Sequence, residues 1–554
     1  MTEKKIFRRS KSFYIITGIV VFILTGGLIF WNNFKYKLAD KKLDKLVDSK
    51  SKGLYQVNYQ NLVIDEALGN LSVENIEMLP DSVVYQSMVE NKSAPKNLFY
   101  IRIPKISISG VKTPKALLNK EISAHTVRIE NAEIEIRLGK GDKDKKPDFT
   151  EIINGEMYKQ LLGNLKAISA DSIVLENASL SLLNGESGSV ISKVSGLSIR
   201  FAGTAIDSVA SKDSTRILFS KEIGIHCDLL FIPTHNKIYE FQIEGLDFNS
   251  QSGSFHTEKI RLKPLLSETA FAKSHKYAVD RFDIFVGSLN LNQINRKEML
   301  QGRLVADELQ IHKASLHVFR DKSYPHDSAD RTHGYPQESI MLLPFEVYIK
   351  NITVNDSYIE YKEKNDKSDS SGKVAFFHVQ AGIGNVTNIK EMIRQQNQMT
   401  VHFNALFLDA APFTAKIQMR LNDRQGHFTL DARMGKINNT SLNPLLKPMA
   451  LAEMDKGNIN RLVYHMEATN TYVKGNLEFL YDDLSLKLLK KDDDKNVYKT
   501  KALPTLAAGL VMKHSNPLHG TTRTGNVDYT RDIHRSIFNL MWKSLLSGIK
   551  QIAL

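Results

Sequence analysis

Cysteine is nearly absent from this chain of 554 residues: Cys227 is the only one. That excludes an internal disulfide framework and a cysteine-rich metal site. It leaves the redox compartment open, because disulfide-free chains occur on both sides of a bacterial inner membrane. Tryptophan occurs twice, as Trp31 and Trp542. A carbohydrate enzyme needs stacking aromatics and converging carboxylates, and both tryptophans fall in segments read below as membrane-contacting. The chain also lacks H-E-x-x-H and G-x-S-x-G, and "GIGNVT" (382–387) has no third glycine for a dinucleotide loop. "GKGDKDKKPD" (139–148) lacks the glycine and glutamate of a calcium loop. His326, Asp327, Asp330 and His333 cluster in one stretch, which reads as a solvated loop before it reads as a metal site. No catalytic residue, no metal site and no cofactor is expected.

A dense arginine–aromatic cluster is missing as well. The net charge is +13, but the basic residues are spread along the chain, so no nucleic-acid partner is expected. Long apolar runs are missing with one exception. "YIITGIVVFILTGGLIFW", Tyr14 to Trp31, is uncharged and close to the roughly 20 residues that cross a bilayer. Aromatic residues stand at its ends, Lys4, Lys5, Arg8, Arg9 and Lys11 precede it, and no small-x-small cleavage site follows. The run predicts an uncleaved single-pass anchor over 13–33, with the basic tail 1–12 in the cytoplasm and the rest exported. A charged stalk follows over 34–52.

From residue 53 the text alternates between apolar and polar residues almost to residue 490. Period-two runs rich in Val, Ile and Tyr predict half-buried strands. Helical stretches are few: 148–167, 388–399 and 443–454. One spacing recurs, apolar-x-apolar-x-x-small-x-apolar-x-apolar. It occurs as "VRIENAEIEI" from Val127, "IVLENASLSL" from Ile173 and, loosely, "IGIHCDLLFI" from Ile223. It returns as "FDIFVGSLNL" from Phe282, "LQIHKASLHV" from Leu309 and "ITVNDSYIEY" from Ile352. In a strand, residues two apart share a face. The two apolar pairs in each copy have opposite parity, so something between them must reset the face. A β-bulge or a tight turn would each do so. The intervals between copies are too irregular for a strict solenoid.

The simplest object is a long, twisted antiparallel β-sheet with one apolar face, few short helices and a C-terminal amphipathic helix. That face can close as an elongated sandwich or stay open as a groove. About two dozen strands at roughly 4.8 Å each would extend on the order of 100 Å. The residues expected to line a groove are Val127, Ile129, Ile134, Ile136, Ile173, Leu175, Leu180, Leu182, Leu309, Ile311, Leu316, Val318, Ile352, Val354, Ile359 and Tyr361. The last stretch, 530–554, predicts a helix for a membrane interface through Ile533, Ile537, Phe538, Met541, Trp542, Leu545 and Ile549, or a plug for the end of the sheet.

"LNPLLKPMALAEMDKGNINRLVYHMEATNTYVKGNLEFLYDDLSLKLL", Leu442 to Leu489, resembles the C-terminal region of AsmA-like proteins of the Bacteroidota. The matching features are the Asn-Pro by a short helix, Gly457 opening a strand, and the "GNLEFLYDDLSLKLL" block. "NPLHGTTRTGNVDYTRDIHRSIFNLMWKSLLSGIKQIAL" looks like the same family's ending. The resemblance implies a non-enzymatic, inner-membrane-anchored periplasmic β-groove protein within the broader AsmA and TamB group. It implies phospholipid as cargo and a part in outer-membrane biogenesis and envelope integrity. Outer-membrane or periplasmic assembly proteins become expected partners. The expected parts are the β-groove over 53–338, the AsmA-like region over 339–529 and the terminal helix. The competing expectation is an envelope scaffold that binds protein partners through a sandwich and carries no lipid.

Overall fold

The computed structural model describes residues 51–553, except residue 96 and the stretches 113–120, 139–165, 235–236, 365–369, 493–496 and 501–512. The expected tail, anchor and nearly all of the stalk lie outside the described residues. So does the expected helix over 148–167, apart from its last two positions. Among the described residues no helix is long and apolar enough to cross a membrane.

The chain is mainly β, as the alternation predicts. It divides into two compact units, the first ending at Glu258 and the second beginning at Lys259. The boundary expected after residue 338 falls inside the second unit.

The first unit contains β1 (Tyr55–Asp65), β2 (Asn70–Pro80), α1 (Ser82–Glu90) and β3 (Asn97–Ser109). It continues with β4 (Glu121–Glu130), β5 (Glu133–Leu138), β6 (Ala167–Asn184), β7 (Val190–Ile206), β8 (Glu222–Pro233) and β9 (Tyr239–Asn249). Helix α1 starts where Asp81 Oδ1 accepts from the Val83 and Val84 amides at 2.8 and 3.0 Å. Strands β1, β2 and β3 form an antiparallel meander, and β6 to β9 form another. Between them β4 and β5 both pair antiparallel with β3 and parallel with β6.

The division falls within β10 (Ser254–Pro264). The second unit then holds α2 (Glu268–Lys273), β11 (Arg281–Val286), β12 (Ser288–Ile294), α3 (Arg296–Leu300), β13 (Arg303–His312), β14 (Ser315–Asp321) and α4 (Pro336–Met341). Next come β15 (Glu346–Lys364), β16 (Ser371–Thr387), α5 (Lys390–Gln395), β17 (Gln398–Phe407), β18 (Ala411–Arg420), β19 (Phe428–Met434), β20 (Ile437–Asn438) and α6 (Asn439–Ala450). Last are β21 (Ala452–Ala468), β22 (Tyr472–Asp492), β23 (Val497–Thr500), β24 (Thr524–Thr530) and α7 (Ile537–Ala553). Here β13 and β14 repeat the arrangement of β4 and β5. Both pair parallel with one unbroken strand, β15.

The sheet is therefore mixed, which corrects the expectation of a purely antiparallel one. The parallel pairs join copies of the repeated pattern position for position. Val127, Ile129, Ile134 and Ile136 face Ile173, Leu175, Leu180 and Leu182. Leu309, Ile311, Leu316 and Val318 face Ile352, Val354, Ile359 and Tyr361. A parallel return needs a crossover of roughly a dozen residues or more. The intervals 139–166 and 322–345 are long enough for that, and alternation within the strands says nothing about them.

In β6 and β15 the face reset is a β-bulge, and in the copies from Val127 and Leu309 it falls at the break between two strands. The fifth residue of the pattern has a left-handed backbone in four copies: Asn131 (φ 52°), Asn177 (φ 49°), Lys313 (φ 52°) and Asp356 (φ 45°). Asn and Asp tolerate that conformation better than other side-chain-bearing residues, and they fill three of the four positions. β6 and β15 run straight through the break with a register shift. Adjacent bulges stack: Asn177 Nδ2 donates to Asn131 Oδ1 at 2.8 Å, and the Ala314 amide donates to Ser357 Oγ at 3.0 Å.

Candidate functional site: the apolar faces

Register places apolar residues of successive strands side by side. In the first unit Leu71, Ile108, Val127, Ile173, Phe201 and Ile223 form one row across the sheet. Val73, Ile106, Ile129, Leu175, Ile199 and Ile225 form the next. These rows belong to a sealed core. The eight expected groove residues between Val127 and Leu182 are at most 5% exposed. In this unit the pattern builds an interior.

The second unit differs. One row runs Leu309, Ile352, Ile383, Val401, Ile417, Leu430 and Met466. The next runs Ile311, Val354, Ala381, Phe403, Ala415, Ala432, Tyr464 and Leu477. Beyond the bulge Ile284, Leu316, Ile359 and Phe376 continue the face, as do Phe282, Val318, Tyr361 and Val374. Members on β19, β21 and β22 are buried, whereas those on β13 and β15 to β18 are only half-buried. The aromatic residues there pack on one another. The Phe376 ring lies 5.5 Å from Phe403, edge-on, and 5.1 Å from Phe413. Five strands at about 4.8 Å give roughly 19 Å of half-open wall, against about 15 Å for the hydrocarbon of one bilayer leaflet.

Helix α7 accounts for the sealed end. Leu540, Ser544, Gly548 and Ile552 recur every four residues and are buried. Ser544 Oγ lies 2.8 Å from the Tyr464 hydroxyl. Gly548 meets Gly525 so closely that a Cβ on Gly525 would lie 2.5 Å from the Gly548 carbonyl oxygen. Leu477 and Val527 lie under Gly548, which puts the helix on the apolar face. Ile537, Met541, Leu545 and Ile549 are half-buried against the same core. Phe538 and Trp542 point away from it, 72% and 43% exposed. Ile533 precedes the helix. The expected start near Thr530 fails because Thr530 ends β24, Arg531 is buried, and Asp532 caps a turn through the His534 amide at 3.0 Å.

The stretch with His326, Asp327, Asp330 and His333, expected as a solvated loop, leads straight into the core: Tyr335 is fully buried against Phe428 and caps α4. Burial pushes the Tyr335 phenol up to about 12. Asp327 pairs with Arg331 at 2.9 Å and His333 with Glu338 at 3.0 Å, so the clustered residues serve separate partners. Among the described residues no three His, Cys or carboxylate side chains gather to hold a metal ion. A depression of about 650 Å³ is lined by Ile393, Arg394, Gln395, Gln396, Asn397, Gln398, Leu421 and Asn422. It offers amides and one guanidinium, but no paired carboxylates and no nucleophile beside a base.

No family model matches this chain, and no curated protein does.

Proposed function

We propose that this protein holds and guides phospholipid acyl chains along the apolar face of its second unit, without an enzymatic step. One observation carries the reading: two in-register apolar rows are only half-buried on β13 and β15 to β18, whereas α7 buries their continuation on β22 and packs beside β24. Large exposed apolar patches are uncommon on monomers and mark a binding surface. Hydrocarbon gains about 0.8 kcal/mol per methylene buried, and a smooth wall of Ile, Val and Phe lets a chain slide. With the anchor over 13–33 this becomes an inner-membrane, single-pass protein of AsmA-like type, its bulk in the periplasm. Its work would then be outer-membrane biogenesis and envelope integrity, with periplasmic or outer-membrane assembly proteins as partners. Phe538 and Trp542 add a surface for a membrane interface.

The test is mass spectrometry of lipid that co-purifies with the full chain, beside a Val354→Asp/Phe403→Asp variant. The expected result is phospholipid on the wild type and a large loss on the folded variant. Equal lipid on both sinks the proposal. The sealed core of the first unit favours a second reading for that unit alone, a scaffold that carries no lipid.

A further inference from the structure

The apolar face of the second unit ends in charge. On β14, Leu316 and Val318 are followed at the same parity by Arg320. On β15, Ile359 and Tyr361 are followed by Glu363. Asp280 stands two residues before Phe282. Arg320 and Glu363 are direct strand neighbours. The Arg320 guanidinium grips the Asp280 carboxylate with both arms, at 2.6 and 2.7 Å. Glu363 accepts from the Tyr361 hydroxyl at 2.8 Å and pairs with Lys322 Nζ at 2.6 Å. Burial, followed by the charge of Glu363, pushes the Tyr361 phenol upward. Next to this row α6 presses on Gly372, where a Cβ would collide with Met449 and Pro448. The equivalent positions in the first unit are Leu138 and Asn184, so the ions belong to this copy of the pattern alone.

Ion pairs this buried contribute little net stability, and apolar replacements are often neutral. Arg320 and Glu363 are 8% and 6% exposed. The row's two open members have opposite sign: the Lys322 side chain is 32% exposed and that of Asp280 is 22%. We propose that this row seats the headgroup of a zwitterionic phosphodiester lipid whose tail lies on the adjoining apolar rows. The phosphate accepts hydrogen bonds from Arg320 and Lys322, and the ammonium of the headgroup takes their place on Asp280 and Glu363. A fork-shaped guanidinium suits phosphate, and equal numbers of both signs select a zwitterion over an anion. This inference rests on the lipid reading of the same face and adds which headgroup it takes.

The test incubates the full chain in detergent with vesicles of equal parts phosphatidylethanolamine and phosphatidylglycerol, matched in acyl chains, then counts bound lipids by mass spectrometry. The wild type is expected to enrich phosphatidylethanolamine about tenfold, the equivalent of roughly 1.4 kcal/mol. The Asp280→Leu/Arg320→Leu pair is expected to bind as much lipid without that preference. Lys322→Gln, at a more open position, is expected to weaken the preference and decides the matter if the double variant does not fold. An unchanged preference in Lys322→Gln and in the folded double variant overturns the headgroup seat and leaves the apolar wall standing. A wild type that binds no lipid overturns the wall itself. Inorganic phosphate is expected to leave the lipid ratio unchanged. Loss of the preference in its presence would make the row a simple anion site and overturn the assignment.

Discussion

Arg531 gives the sharpest structural prediction. It follows β24 and is 6% exposed. Its Nη1 donates to the carbonyls of Thr332 and Asn470 at 3.2 and 3.3 Å, and its Nη2 to those of Arg331 and Arg535 at 2.6 and 3.3 Å. The guanidinium lies 4.5 Å from the centre of the Tyr335 ring. One side chain thus joins the segment before α4, the turn after β21 and the segment before α7. Arg531→Lys keeps the charge but puts it on one nitrogen, which cannot serve carbonyls on three segments. Each buried acceptor left unpaired costs about 1–3 kcal/mol, and the effects overlap, so Arg531→Lys should lose about 2–3 kcal/mol. Arg531→Ala removes the ring contact and leaves a cavity as well, for about 4 kcal/mol. Urea unfolding of a Trp31→Phe version of the full chain in detergent, followed by the fluorescence of Trp542 on α7, reads the same unit. A midpoint for Arg531→Ala within about 0.5 kcal/mol of the wild type would refute the reasoning, because such small changes are ordinary for surface positions away from special features.

Three further outcomes are expected. Gly525→Ala should lift α7 from the sheet and cost about 1–3 kcal/mol, visible as greater protease access to 537–553; unaltered cleavage would contradict the close contact. Asn177→Val should destabilise the first unit by about 1–2 kcal/mol more than Asn177→Gly, because both lose the amide bond to Asn131 and only the left-handed backbone separates them; equal stability of the two variants argues against the bulge. The His226 ring donates to Asp247 at 2.8 Å and to Asp228 at 3.1 Å, and these hydrogen bonds, Asp247 the stronger, raise its pKa. The pair's contribution is therefore complete below the ordinary histidine value and disappears as pH rises through the raised one. An NMR titration should place His226 above about 6.5, and Asp247→Asn should bring it down; a midpoint that ignores the substitution rejects the pairing.

Much of the strand content was legible because a half-buried strand writes its burial into the chain every second residue. The short helices were harder to read. α2 and α3 span 268–273 and 296–300, too short for a periodic signal, and their caps at Ser267 and Asn295 look like ordinary turn residues. The bulge did leave a mark, since Asn131, Asn177 and Asp356 fit a left-handed position. A tight turn would have used the same residues. The ion row also left a trace, in that only the copies from Leu309 and Ile352 run on into Arg320 and Glu363.

By itself the sequence determined that strands form, which residues of each strand share a face, and that the face flips in mid-pattern. These are local consequences of backbone geometry and side-chain size. Tertiary structure decided that copies of the pattern lie parallel, since that depends on where the connections travel. It also decided that one apolar face is sealed and another half-open. Burial is a property of what packs on top, and the same Ile-x-Val spacing lies in a core in one unit and on a half-buried wall in the other.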